Sequence, residues 1–192
     1  MVSKRKKKVL IGTAAIAAFL FLISKKSKAM DTTENTNATG SAPTPAELRA
    51  ALKFILDRYG RETAKKVEQL YRWETRHFES RQYKKTFSPG MEPSPQTNTL
   101  FPFGWTSLKI YAQQNNIPAS AFYLAGPFTE GGTGRQKKFV GFPNVKTAMD
   151  FLVFMINRRG GNWGKWFSLD ASAAANYVRN LNAVRPVIVN SL

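Results

Sequence analysis

Residues 62–78 read ETAKKVEQLYRWETRHF and predict an amphipathic helix. At about 100° per residue, one face of this helix carries the apolar side chains of Val67, Leu70, Tyr71 and Phe78. Glu74 falls within this apolar stripe, whereas Glu68 and Glu79 are predicted to lie off it. A carboxylate on an apolar face is costly unless it pairs with a cation or keeps its proton. Glu74 therefore has two interpretations: half of a buried ion pair with an arginine, or the general acid of a glycosidase.

Helix signals continue on both sides of this stretch. Thr44-Pro45-Ala46-Glu47 is a capping box with proline at the first helical position, and it predicts a helix that ends at Gly60. Further helices are predicted over residues 106–115, 144–160 and 171–183, with irregular loops over 80–103 and 126–143. The sequence thus predicts a mainly α domain over residues 45–192, whose long loops are typical carriers of function.

The N-terminal region differs in composition from this domain. Residues 9–23 form an apolar run between lysine clusters, which predicts a single transmembrane helix within a basic segment, residues 1–29. A cleaved signal peptide is the alternative, because Ser27 and Ala29 are suitably small, but three lysines before them favour an uncleaved anchor. Residues 30–44 are small and polar and predict a flexible linker. Five basic residues before the apolar run against three after it favour a cytoplasmic N-terminus and a domain outside the cytoplasm.

Composition restricts the chemistry that the domain could perform. The 192 residues include 29 Lys and Arg, 12 Asp and Glu, one histidine and no cysteine, giving a net charge of +17. Thiolate sites, disulfides and centres with two histidines are therefore excluded, which leaves carboxylate chemistry or none, with no cofactor. His77 lies three residues after Glu74, but no second motif supports a metal site. Residues 30–192 keep a balance of +9, which suits a polyanionic partner.

The segment around Glu74 resembles a known family. Residues 70–75, LYRWET, followed by Phe78, Ser80 and Gln82, resemble the catalytic-helix signature of lysozyme-like peptidoglycan hydrolases, closest to their glucosaminidase and autolysin branch. The resemblance extends over residues 45–185 by order and spacing, through PGME at 89–92, FGW at 103–105, FPNVKTA at 142–148 and NYVR at 176–179.

The resemblance implies a fold and an activity. It implies a lysozyme-like helical domain, here on a membrane anchor, that cleaves β-1,4 bonds of peptidoglycan glycan strands with Glu74 as proton donor. A glucosaminidase, a muramidase and a lytic transglycosylase all stay open. Two locations of the enzyme also stay open: the inner membrane of a bacterium and the virion membrane of a phage.

A second carboxylate would define the mechanism, and four are available: Glu92, Glu130, Asp150 and Asp170. Asp150 is expected on the exposed side of its helix, and Asp170 is expected to cap the last helix. We favour Glu92 over Glu130, because it lies in the loop that follows the catalytic helix. Related enzymes also work with a single acid, using the N-acetyl group of the substrate or, in transglycosylases, its 6-hydroxyl.

Aromatic residues in or beside the loops are candidates for stacking on sugar rings. They are Phe103, Trp105, Tyr123, Phe128, Trp163 and Trp166. The related glucosaminidases have a tyrosine near the cleft shortly before the last helix, where this chain has Trp166-Phe167. Tyr177, within that helix, is therefore the candidate for the tyrosine's role.

A non-enzymatic function is the alternative. An anchor, a linker and a basic body would suit a structural protein of a membrane-containing virion that binds nucleic acid or wall polymer. The basic residues of 45–192 are scattered, however, with no run longer than Lys137-Lys138 or Arg158-Arg159. We therefore expect peptidoglycan and a membrane as partners and no specific nucleic acid, with the oligomeric state open.

Overall fold

The computed structural model describes residues 41–92, 106–129 and 134–192. The predicted anchor, most of the predicted linker, and the candidate residues Phe103, Trp105 and Glu130 lie outside these ranges. Within them, no helix is both long enough and apolar enough to cross a bilayer.

The described residues are mainly helical, as predicted, with one small sheet. The elements are α1 (Pro45–Tyr59), α2 (Arg61–Glu74), α3 (Arg81–Thr86), α4 (Thr106–Gln114), β1 (Tyr123–Thr129), β2 (Gln136–Gly141), α5 (Val145–Arg158), α6 (Ala171–Ala183) and α7 (Val187–Asn190). Short 3-10 turns occupy Ala119–Ala121 and Trp163–Trp166.

The helix starts that the sequence predicts are confirmed by their caps. The Thr44 hydroxyl accepts from the backbone N–H of Glu47, and the Glu47 carboxylate accepts from the backbone N–H of Thr44 at 2.8 Å. Asn144 caps α5 through the N–H of Thr147, and Asp170 caps α6 in the same way. These signals are local, so they can be read from the sequence alone.

The core is centred on α5, which is buried on most of its surface. Its side chains from Ala148 to Val153 are almost fully buried. It packs against α1, and the ring of Phe151 meets that of Tyr111 on α4 at 5.2 Å. The apolar face of α2 closes the core from another side, because Val67, Leu70 and Tyr71 are fully buried.

Two segments predicted to be irregular contain regular structure. Helix α3 lies within 80–103, and strands β1 and β2 form an antiparallel hairpin that begins at Tyr123 and extends through most of 126–143. The strand pairing has a register irregularity between Ala125 and Phe128, which breaks the period-2 pattern that would have predicted a strand. Gly141 lies under the ring of Tyr123, so close that no larger side chain would fit.

Helix α2 ends at Glu74, four residues before its predicted end. Arg76, His77 and Phe78 all have left-handed backbone angles, with φ of 51°, 58° and 74°. Such angles cost non-glycine residues about 1–2 kcal/mol each. The buried Thr75 holds the turn: its hydroxyl donates to the carbonyl of Tyr71 at 2.5 Å and accepts from the N–H of Phe78 at 2.9 Å. The chain therefore reverses directly after Glu74.

The predicted placement of Glu68 off the buried face is wrong. Its side chain is 0% exposed and pairs with Nε of Arg72 at 2.7 Å. It also accepts from the backbone N–H groups of Ile188 and Val189, at 2.9 and 2.7 Å. Helix periodicity locates only the main apolar stripe, whereas α7 covers this second face of α2 from a distant part of the chain.

The predicted solvent exposure of Asp150 is also wrong, because this residue is 3% exposed. Its carboxylate accepts from Arg58 at 3.0 Å, from the Tyr59 hydroxyl at 2.7 Å and from the Tyr111 hydroxyl at 2.8 Å. These partners belong to α1 and α4, which enclose α5 on the side that its sequence pattern assigns to water. Asp150 is thus part of the core and is unavailable as a second carboxylate over a cleft.

Candidate active site

Glu74 lies in the last turn of α2 and is half-buried. The hydroxyl of Tyr177, from α6, donates to Oε1 of Glu74 at 2.5 Å. Trp166 also acts on this carboxylate, as a weaker donor than Tyr177: its indole N–H can only donate, and it lowers the pKa of Glu74. The structure thus brings together three of the predicted site residues, two of them about a hundred positions away from Glu74 in the sequence.

Glu74 differs from the other carboxylates in the described ranges in its partners. Six of them pair with lysine or arginine: Asp57, Glu62, Glu68, Glu79, Glu92 and Asp150. Glu47 and Asp170 cap helices. Of the carboxylates in this part of the chain, Glu74 alone has neither role, in a strongly basic protein where a cation would be easy to provide. The described residues therefore contain no lysine or arginine paired with Glu74, as the ion-pair interpretation would require.

The environment of Glu74 favours its protonated form. Burial raises the pKa of the Glu74 carboxyl above its ordinary value, and the hydrogen bonds from Tyr177 and Trp166 offset only part of that rise. Burial and the nearby Glu74 likewise raise the pKa of Tyr177, so its hydroxyl stays a donor at neutral pH. A raised pKa favours the protonated form of the carboxyl, which is the form that a general acid donates from.

The aromatic turn that supplies Trp166 is fixed tightly to α6. A side chain at Gly164 would meet the carbonyl oxygen of Ala174 at 2.5 Å, so only glycine allows this approach. Phe167 follows the turn, and its ring stacks in parallel on that of Tyr177 with a centroid distance of 5.2 Å. The turn and α6 together therefore place several aromatic side chains beside Glu74.

The other predicted site residues lie in different surroundings. Glu92 forms an ion pair with Lys137 of β2 at 2.8 Å, and the described contacts connect it to the hairpin rather than to Glu74. The hydroxyl of Tyr123 donates to the carbonyl of Lys85 at 2.7 Å, which joins the hairpin to α3. Trp163 is half-buried and packs against the core. The roles of these residues stay predictions.

Two residues beside Glu74 were missed as site residues in the sequence. Thr75 holds the reversal after Glu74, and a polar residue directly after a candidate acid was the available signal. Phe167 was noted only as a departure from the family pattern, and nothing in the sequence indicated its stacking on Tyr177. In the described ranges, no group of three or more histidine, aspartate or glutamate side chains could hold a metal ion.

Comparison of the chain with known protein families, with curated proteins and with solved structures found no match. The molecule is therefore defined by what it contains: a mainly helical domain with one small sheet, and a half-buried carboxyl that accepts a hydrogen bond from Tyr177 beside the indole of Trp166. Any function has to be argued from this site.

Proposed function

We propose that the chain is a lysozyme-like glycosidase that cleaves β-1,4 bonds in peptidoglycan, with Glu74 as its general acid. The observation that carries the proposal is the state of Glu74: half-buried, without a cation among the described residues, and with a raised pKa. Ion pairing and helix capping account for the other carboxylates of the described ranges. Proton donation accounts for this one. A membrane anchor over residues 1–29 would keep the enzyme near the wall.

The site supports each part of the acid step. The protonated Glu74 would donate to the glycosidic oxygen as its bond to the anomeric carbon breaks, so that the leaving sugar departs as an alcohol. The carboxylate that forms would be stabilised by the hydrogen bonds from Tyr177 and Trp166, which lower its pKa. Water then adds to the anomeric carbon and returns a proton to Glu74. Burial thus keeps the proton in place beforehand, and the two donors stabilise the charge afterwards.

The second catalytic group, which would act as a base, is less clearly defined than the acid. Glu92 is held by Lys137 and is exposed, so it could act as a base only if the pair opened toward the substrate. A route with a single acid, in which the N-acetyl group of the substrate attacks the anomeric carbon, requires no such movement. We therefore favour the single-acid route for this site.

The test is the Glu74→Gln variant of the full chain, assayed on purified cell wall by zymogram and by turbidity. Glutamine keeps the shape of the side chain and removes the transferable proton, so activity should fall by about two to four orders of magnitude. Glu79→Gln is the matched control, because Glu79 is an exposed carboxylate five residues away that pairs with Lys84. A folded Glu74→Gln protein that clears cell wall at the normal rate would overturn the proposal.

Mass spectrometry of the wild-type products would identify the bond. A reducing-end N-acetylglucosamine marks a glucosaminidase, a reducing-end N-acetylmuramic acid marks a muramidase, and an anhydro end marks a lytic transglycosylase. Products without any new glycan end would contradict a glycosidase of every kind.

A further inference from the structure

We propose that the exposed face of the Phe167 ring is a sugar-binding platform, on which a pyranose ring of the glycan stacks beside Glu74. This inference rests on the proposed function and adds a substrate contact to it. Phe167 has no role in the acid step. Its ring is exposed and is not part of the core.

The position of the ring is the first argument. Phe167 is 64% exposed, so most of its ring is accessible to a ligand. One face is covered by the parallel ring of Tyr177, whose hydroxyl lies 2.5 Å from Oε1 of Glu74. The open face is therefore separated from the candidate acid by a single side chain, and a sugar resting on it would lie at the edge of the site.

The rigidity of the ring is the second argument. The N–H of Phe167 donates to the carbonyl of Gly164 at 3.1 Å, and Gly164 itself is in close contact with α6. Arg159 donates to the carbonyl of Lys165 at 2.7 Å and fixes the turn from the other side. A ring held in one orientation loses little conformational entropy when a ligand stacks on it, which favours binding.

The surroundings of the ring determine what it can bind. Lys165, Ser168 and Asp170 lie within three positions of it in the sequence and are polar, and the one exposed apolar neighbour in this stretch is Leu169. Protein interfaces usually present larger continuous apolar patches. An exposed flat ring in a stretch that also carries polar residues matches the amphiphilic face of a pyranose, which offers C–H groups to the ring and hydroxyls to polar groups. We therefore commit to an N-acetylhexosamine ring as the occupant.

The experiment measures binding of chitotetraose by calorimetry, with the full chain carrying Glu74→Gln so that turnover does not interfere. The Michaelis constant on cell wall is measured with Glu74 present. Phe167→Ala should weaken chitotetraose binding and raise KM by about two- to tenfold, with kcat within twofold. Phe167→Trp should restore both values. Leu169→Ala is the matched control, because Leu169 is 85% exposed and two residues away, and it should leave both values unchanged.

A third variant separates a sugar platform from a simple cover over Tyr177. Phe167→Leu keeps an apolar cover and removes the aromatic face, so it should bind as weakly as Phe167→Ala. Normal binding by either variant, or no detectable binding of chitotetraose by the parent, would overturn the inference. The proposed function falls instead if Glu74→Gln is active, and calorimetry on the Phe167 variants still reports on the platform in that case.

Discussion

Replacing Glu68 tests how strongly the buried carboxylate joins α2 to α7. Three donors converge on it: Nε of Arg72 and the backbone N–H groups of Ile188 and Val189. In Glu68→Gln, one of the two acceptor oxygens becomes an NH2 group, which would face at least one of these donors. A buried donor without an acceptor costs about 1–3 kcal/mol, and Arg72 also loses its counterion.

We therefore expect Glu68→Gln to lower the free energy of unfolding by about 2–4 kcal/mol, and Glu68→Ala by about 3–5 kcal/mol. A domain of this size changes its melting temperature by about 2–4 °C per kcal/mol, so Glu68→Gln should melt about 5–15 °C lower. Circular dichroism at 222 nm on the full chain measures this shift, and urea unfolding gives the free energy.

Glu79→Gln serves again as the control, since its ion pair with Lys84 is exposed and such pairs contribute little. It should melt within about 2 °C of the parent. A Glu68→Gln protein that melts as high as this control would refute the reasoning, because it would mean that the three donors find other acceptors at no cost.

Three further predictions concern Glu74, Tyr177 and the start of the domain. Since folding raises the pKa of Glu74, the wild type should lose stability as pH rises through that raised pKa. Glu74→Gln should therefore have a higher melting temperature than the wild type at pH 8, and the difference should disappear below about pH 4. A difference in melting temperature that does not depend on pH would contradict this. Tyr177→Phe removes a hydrogen bond that lowers the pKa of Glu74. Activity on cell wall should therefore fall about three- to tenfold, and the alkaline limb of the pH–activity profile should move to higher pH. An alkaline limb that does not move would show that the Tyr177 hydroxyl does not act on Glu74. A chain that begins at Ser41 keeps the capping box of α1 and should fold and melt like the full chain, as measured by circular dichroism, whereas loss of the fold would place the domain boundary earlier.

The parts of the fold that could be predicted are those with local causes. The capping box at Thr44, the Asn144 and Asp170 caps and the apolar stripe of α2 are each specified by a few neighbouring residues. Glu74 was predicted for the same reason, because its position on that stripe depends only on helical spacing.

The parts that could not be predicted depend on contacts between distant residues. Glu68 and Asp150 were expected near water because the elements that bury them, α7 for one and α1 with α4 for the other, leave no trace in the local pattern. The contact of Glu74 with Tyr177 could not be derived from the local pattern either, since Tyr177 follows it by 103 residues; only the family resemblance named Tyr177 as a candidate. The left-handed turn after Glu74 also escaped prediction, because none of its three residues is the glycine that usually marks such angles.

That long separation between Glu74 and Tyr177 has a consequence for biosynthesis. A ribosome delivers α2 well before α6, so the nascent chain carries Glu74 without the hydroxyl and indole donors that define its environment. The carboxyl of Glu74 cannot reach its final environment until residue 177 has left the ribosome and α6 has packed. In a protein proposed to cut the cell wall, the general acid would thus reach its working environment only after α6 has been synthesised and has packed against α2.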